Sequence, residues 1–205
     1  MAKAQNPVIP LFPLNTVLFV GGVLPLRIFE PRYVDMIRSC MRVGVGFGVV
    51  LIRHGRDARL GEDPGQPEIC DLGTYAEITD FSQLPNGMLG IVATGRRKFQ
   101  ILNIEEQPDH LLTGQVAWFP DEAELQLPDE YRPLSELLVA LLEHPSVQRV
   151  HGELQIQVDL NDARAVSCRL SELLPVEAGV KQGLLRLGSP KERLAELARL
   201  VERLQ

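Results

Sequence analysis

The sequence predicts an α+β fold in two parts: a compact, strongly bent sheet or barrel of short, mostly antiparallel strands with one inserted helix, then a C-terminal helical bundle. Three observations carry this prediction. Up to residues 121–128, short apolar runs alternate with turn residues, as strands and tight bends require. Within that region only residues 31–41 carry a helical period, and beyond Pro128 the period is helical throughout. The change of character places the division at 1–122 and 123–205.

Residues 8–26 are apolar but broken by Pro10, Pro13, Gly21, Gly22 and Pro25, which suits short extended segments and excludes a helix. Glu30-Pro31 then opens a helix, because proline at the first helical position loses no hydrogen bond. Tyr33, Met36, Ile37, Cys40 and Met41 follow at i, i+3, i+4, i+7 and i+8 and form its buried stripe. Residues 47–52 read as a buried strand entered through Gly44, Gly46 and Gly48, and residues 54–68 as a polar surface loop. Strands at 74–81 and 88–94 flank Leu84-Pro85-Asn86-Gly87, whose Asn-Gly pair favours a hairpin turn. Two further strands are expected at 99–104 and 112–119.

In the second part, Tyr131, Leu134, Leu137, Leu138, Leu141 and Leu142 form one helical stripe that ends before Pro145. Val166, Leu170, Leu173 and Leu174 form another, stopped by Pro175. Two last helices meet at a joint where Gly188 is expected to be left-handed. There Ser189 and Glu192 are expected to form a capping box, with Pro190 in the first turn. Leu194, Leu197, Val201 and Leu204 give the final helix its apolar side.

The chain has 205 residues with 45% hydrophobic and 23% charged content, enough for a real core. Its formal net charge of −6 disfavours nucleic acid and anionic membranes as general partners. No apolar run reaches the ~20 residues that a bilayer crossing needs. Met1-Ala2-Lys3-Ala4-Gln5-Asn6 does not read as a secretory signal, so a soluble, cytoplasmic protein is expected. Cys40, Cys70 and Cys168 are odd in number and far apart, which argues for reduced thiols rather than a disulfide framework or a zinc site.

Ile9-Pro10-Leu11-Phe12-Pro13-Leu14, Val17-Leu18-Phe19 and Leu24-Pro25-Leu26-Arg27-Ile28-Phe29-Glu30-Pro31-Arg32-Tyr33 resemble the opening of the Lon protease N-terminal domain family. Phe47-Gly48-Val49-Val50-Leu51-Ile52, Gly73-Thr74-Tyr75-Ala76-Glu77-Ile78 and Gly95-Arg96-Arg97-Lys98-Phe99 follow in that family's order. Lys181-Gln182-Gly183-Leu184-Leu185 and residues 189–197 are similar to its helical tail, so the resemblance spans nearly the whole chain. Val20 departs from it, standing where the family has proline. The resemblance implies a PUA-like β-barrel followed by a helical bundle. It also implies polypeptide recognition without cutting, in a stand-alone module that is not an enzyme.

No Gly-x-x-x-x-Gly-Lys-[Ser/Thr] phosphate loop occurs in the sequence, and no cofactor is expected. The four histidines, His54, His110, His144 and His151, lack the spacing that would bring two of them onto one helical turn to hold zinc. His144 and His151 are read as decorating a loop around Pro145. Cys40 reads as packing and Cys168 as packing or partly exposed, with Arg169 near enough in sequence to depress its pKa. Cys70 lies between Glu68 and Asp71, which disfavours a thiolate.

Two surfaces are candidates for binding. Phe19, Val20 and Val23 flank Gly21-Gly22 and, with Arg32, form a candidate polypeptide contact, by apolar groove or strand addition, against the alternative of burial. Arg27, Glu30 and Arg32 are read first as a clamp between the opening strands and the helix, and second as a binding rim. Arg96, Arg97 and Lys98 form the basic triplet that an RNA-binding alternative would use, against a solvated strand end. The expected partner is a polypeptide segment or another protein, with self-association left open.

Overall fold

The structure is a computed structural model that describes residues 6–54, 67–84, 88–151 and 157–204, without the side chains of 149–151. It is a mixed α+β protein with a six-stranded sheet and several helices. The chain divides into two compact units, Met1–Pro120 and Asp121–Gln205.

The first unit contains strands β1 (Val8–Leu14), β2 (Val23–Ile28), β3 (Phe47–His54), β4 (Glu68–Gln83), β5 (Leu89–Glu106) and β6 (Leu112–Trp118). Helix α1 (Pro31–Val43) lies between β2 and β3. The order is β2-β5-β4-β3-β1-β6, and β5 also pairs with β6, so five of the strands form a closed ring of pairings with β2 outside it. Neighbours are antiparallel except β1 and β3, which run parallel with Leu11 beside Gly48. The β2–α1 segment supplies the crossover that a parallel pair needs.

β5 spans 18 residues, whereas the sequence pattern suggested separate strands at 88–94 and 99–104. Gly95-Arg96-Arg97-Lys98 lacks the apolar alternation of a strand, yet it continues the ladder, because β4 pairs with β5 from Leu72↔Gln100 to Gln83↔Leu89. Residues 85–87 of the expected hairpin turn and residues 55–66 of the expected loop lie outside the described residues.

Successive strand residues point to opposite faces, and each face has its own core. Phe12, Phe47, Val49, Ala76, Ile91 and Ala93 pack on one face with Tyr33, Met36, Ile37 and Cys40 of α1. The alternate residues Leu11, Val50, Phe99, Leu112 and Val116 form the second cluster, on the face shared by the ring strands. Gly48 and Gly73 make room for it: a Cβ at either position would come within 2.6 and 2.8 Å of the Phe99 ring. Helix α1 ends at Gly44, whose φ of 74° lets its N–H reach Cys40 O at 2.9 Å. Met41, the last residue of the expected stripe, is exposed.

The second unit begins with a 3₁₀ turn, Asp129–Tyr131, and α2 (Arg132–Glu143). It continues through α3 (Pro145–His151), α4 (Ala163–Leu173), α5 (Ala178–Arg186) and α6 (Pro190–Leu204). Pro145 begins α3 instead of opening a loop, so His144 precedes a short helix and His151 closes it. Asp162 caps α4 by accepting from Arg164 N at 2.8 Å, and α4 packs against both α2 and α6. Gly188 is not left-handed. The chain leaves α5 through Leu187 in an extended conformation (φ −63°, ψ 133°), which feeds Ser189-Pro190 without a reversal.

Candidate functional site

The loop between β1 and β2 is drawn inward rather than presented to solvent. Gly21 N donates to Gly95 O at 2.8 Å and Gly95 N donates to Gly22 O at 2.9 Å, stitching the loop to the middle of β5. Thr74 Oγ1 donates to Leu18 O at 2.6 Å. Gly95 lacks the Cβ that would stand 2.2 Å from Phe19 O, so the loop backbone approaches closely. Phe19 is therefore 0% exposed, which removes it as a contact residue, and Val20 and Val23 are half-buried. The glycine that permits this lies some seventy-odd positions downstream of the loop, too far for a local reading to connect the two.

Arg32 is held as a clamp. Its Nη2 lies 2.8 Å from Glu30 Oε2, its Nη1 donates to His110 O at 2.9 Å, and its guanidinium stacks 4.5 Å from the Tyr33 ring centre. The clamp ties the start of α1 to the loop between β5 and β6, while Arg27, expected in the same clamp, is exposed on β2. His110, at φ 67°, is the one non-glycine left-handed residue among those described, and its Nδ1 lies 2.5 Å from Glu106 Oε1.

Beside the clamp lies a concave apolar surface that the sequence reading did not single out. A cleft of 260 Å³ is lined by Phe12, Leu14, Leu26, Phe29 and Tyr33, with Arg27 and Glu30 at its charged margin. Phe29 is 55% exposed because it follows the last residue of β2 and precedes the turn into α1, where neither core takes it up. The signal was an aromatic ring between Ile28 and Glu30-Pro31, outside both the strand alternation and the helical stripe. A larger groove of 530 Å³ lies between the end of α1 and β4.

The basic triplet does not form one basic surface. Arg96 bonds Glu77 at 2.8 Å, Arg97 donates to Phe119 O at 3.0 Å, and Lys98 is buried with its ammonium 5.9 Å from the Phe119 ring centre. The pairing shifts from Ala76↔Gly95 to Tyr75↔Arg97, which leaves Arg96 as an extra, exposed residue while Lys98 is buried, in place of the solvated strand end expected of all three. All three cysteines are buried. Burial pushes the Cys40 thiol up, and Sγ donates weakly to Gly46 O at 3.6 Å, so Cys40 stays protonated and inert. Cys70 lies 3.4 Å from Arg53 Nε, and Arg169 turns to Glu172 at 2.7 Å. Among the described residues no group of His, Cys, Asp and Glu side chains is arranged to hold a metal ion, and no helix is long and apolar enough to cross a membrane.

Residues 8–203 match the ATP-dependent protease La (LON) substrate-binding domain. The chain belongs to the Lon substrate-binding domain family. The crystal structure of a Lon N-terminal domain protein from Xanthomonas campestris superposes with a TM-score of 0.74 at 32% identity, covering 94% of this chain and 98% of that one. The N-terminal domain of Lon protease from Mycobacterium avium complex shares the fold, with a TM-score of 0.59 at 19% identity. The Lon protease of Flavobacterium johnsoniae is 26% identical over 97% of this chain, which spans 24% of that relative's length. The Lon-family match falls on the substrate-binding domain, not on an ATPase or protease domain.

Proposed function

We propose that this protein is a non-catalytic recognition module that binds exposed apolar segments of polypeptides. The observation that carries the reading is the cleft beside β2, where a mostly exposed phenylalanine, Phe29, stands over apolar walls formed by Phe12, Leu26 and Tyr33. An aromatic ring at the mouth of an apolar cleft is the kind of anchor on which protein recognition depends. Arg27 and Glu30 at the margin supply polar contacts of both signs, fitting a peptide better than a nucleic acid. The family match supports the same class of ligand. The engaged side chains of Arg96, Arg97 and Lys98 speak against the RNA-binding alternative.

In this reading the closed ring of strands is a PUA-like barrel, residues 1–122 form one domain, and residues 123–205 form a helical bundle. The test is suppression of aggregation of a chemically unfolded client, measured by light scattering with the purified protein. Phe29→Asp is expected to weaken client binding about tenfold, the loss of roughly 1.4 kcal/mol of apolar contact, with no change in melting temperature. A wild-type protein that leaves aggregation untouched, with and without ATP, overturns the reading.

A further inference from the structure

β4 runs past the strand that covers it. β3 pairs with β4 from His54↔Glu68 to Phe47↔Ala76 and stops there, because β3 begins at Phe47. β5 stays paired with β4 as far as Gln83↔Leu89. Among the described residues, 77–83 therefore have a strand on one side only. No strand covers the alternate N–H and C=O groups on the other side; within this stretch Phe81 N already donates to Asp80 Oδ1 at 2.8 Å, a local bond that an incoming chain would have to displace if it pairs there.

This open edge borders the 530 Å³ groove, which is lined by Met41 from the end of α1, Gly44 and Val45 from the α1–β3 turn, and Ile78, Thr79 and Phe81 from β4. Apolar side chains surface there together, Phe81 at 61% exposure and Val45 at 47%, with Met41 beside them. In a folded protein an apolar concavity at an unpaired strand edge is a docking surface or an aggregation liability.

We propose that residues 77–83 are a strand-addition site, which takes an extended apolar segment of a polypeptide as an additional strand beside β4. Alternate side chains of that segment settle on Met41, Val45 and Phe81. The inference rests on the polypeptide-binding reading for its class of ligand, but it uses a different surface from the Phe29 cleft and fixes the ligand's backbone conformation.

Three observations select this occupant. Edge N–H and C=O groups are completed by an extended backbone, whereas a helix has spent its own internally. Both charged residues lining the groove, Glu77 and Asp80, are carboxylates. Glu77 is held by Arg96 at 2.8 Å, whereas Asp80, whose Oδ1 accepts from Phe81 N, has no cation against it among the described residues, so Asp80 is the charge that a lysine or arginine of the segment meets. A register shift between Ile78 and Asp80 bends the edge. Such a bulge opposes long, flat pairing with a second copy of this chain, while a short flexible peptide can follow it.

The test is fluorescence anisotropy on the full chain with a fluorescein-labelled peptide of alternating valine and threonine, carrying a lysine at each end. A second peptide is identical but N-methylated at alternate amides. Val45→Asp and Phe81→Asp are each expected to weaken binding at least about tenfold, N-methylation to do the same, and Leu102→Asp, at an exposed position that lines neither concave surface, to change it less than about twofold. Amide hydrogen exchange gives a readout independent of substitution, with protection on peptide addition expected in residues 77–83.

Each contrary outcome overturns the inference in a distinguishable way. Equal binding of the N-methylated peptide, or protection elsewhere than 77–83, removes strand addition. Insensitivity to Val45→Asp and Phe81→Asp with loss in Phe29→Asp moves the peptide to the cleft and leaves the proposed function standing. Self-association in sedimentation equilibrium that the two edge substitutions abolish, without peptide binding, assigns the edge to a second copy. Failure to bind either peptide or an unfolded client removes both readings.

Discussion

At the scale of single residues, the least replaceable side chain is a buried charge in the helical unit. Arg193 on α6 has no solvent exposure, and its Nη1 and Nη2 grip the two carboxylate oxygens of Glu122 while Nε donates to Ser167 Oγ on α4 at 3.1 Å. Burial by itself would lower the guanidinium pKa; the hydrogen bond to Glu122 and neighbouring charge outweigh it, so Arg193 stays ionised. Removing one partner strands the other without compensation, whereas removing both does not. Glu122→Ala is therefore expected to destabilise the fold by about 3–5 kcal/mol in urea unfolding. Arg193→Met with Glu122→Leu should recover most of that loss, and strictly additive effects in the double-mutant cycle would refute the pairing.

Lys181 makes a statement about pH. Burial lowers its pKa from 10.5, partly offset by Glu172, although Nζ donates to Glu172 O at 2.6 Å. Below the folded-state value Lys181 is charged in both states and the burial penalty is fully present. As pH climbs from there towards 10.5, the folded protein has released a proton that the unfolded chain still holds, so stability rises. Urea midpoints across that alkaline interval should show the rise in the wild type and lose its Lys181 share in Lys181→Met.

At the scale of elements, β5 organises the first unit, because it pairs with β2, β4 and β6 and also anchors the β1–β2 loop through Gly95. Gly95→Ala puts a methyl group against the Phe19 carbonyl, which cannot retreat without breaking the two bonds between Gly95 and Gly21-Gly22. A loss of about 1–3 kcal/mol is expected in urea unfolding, with Phe19 becoming accessible to fluorescence quenching in a Phe19→Trp background. The same element shows where the sequence was legible. Helix α1 could be read at its start and along its face, since Pro31 and the stripe from Tyr33 to Cys40 are local signals, while Gly44, which stops it, read only as the entry to the next strand. Strand β5 could not, because Gly95-Arg96-Arg97-Lys98 breaks the apolar alternation and its pairing comes from strands distant in sequence. The candidate site suffered from the same non-locality. Phe19 sits in an apolar run beside two glycines and reads equally well as exposed or buried, and only Gly95 decides between them. Phe81 stood within an expected strand and Phe29 between an extended segment and a helix, but which phenylalanine a fold leaves outside its cores is a property of the closed sheet rather than of the segment.

At the scale of the whole molecule, each unit holds its own core and can be tested by separation. The apolar clusters around α1 and around Phe99 draw only on residues from 9 to 118. The Arg193–Glu122 pair and the α2, α4 and α6 contacts lie within the second unit. Both concave apolar surfaces proposed to meet polypeptides are lined by residues no later than Phe81. A fragment of residues 1–122 is therefore expected to fold cooperatively and to retain peptide binding within about threefold of the full chain, a difference of roughly 0.7 kcal/mol. A fragment of residues 123–205 lacks Glu122, so it leaves Arg193 buried without its carboxylate and should melt well below a fragment beginning at Asp121. Neither helical fragment should bind the peptide. Circular dichroism melting and anisotropy on the three fragments check this, and binding that requires the helical unit would show that recognition does not reside on the strand-bearing unit alone.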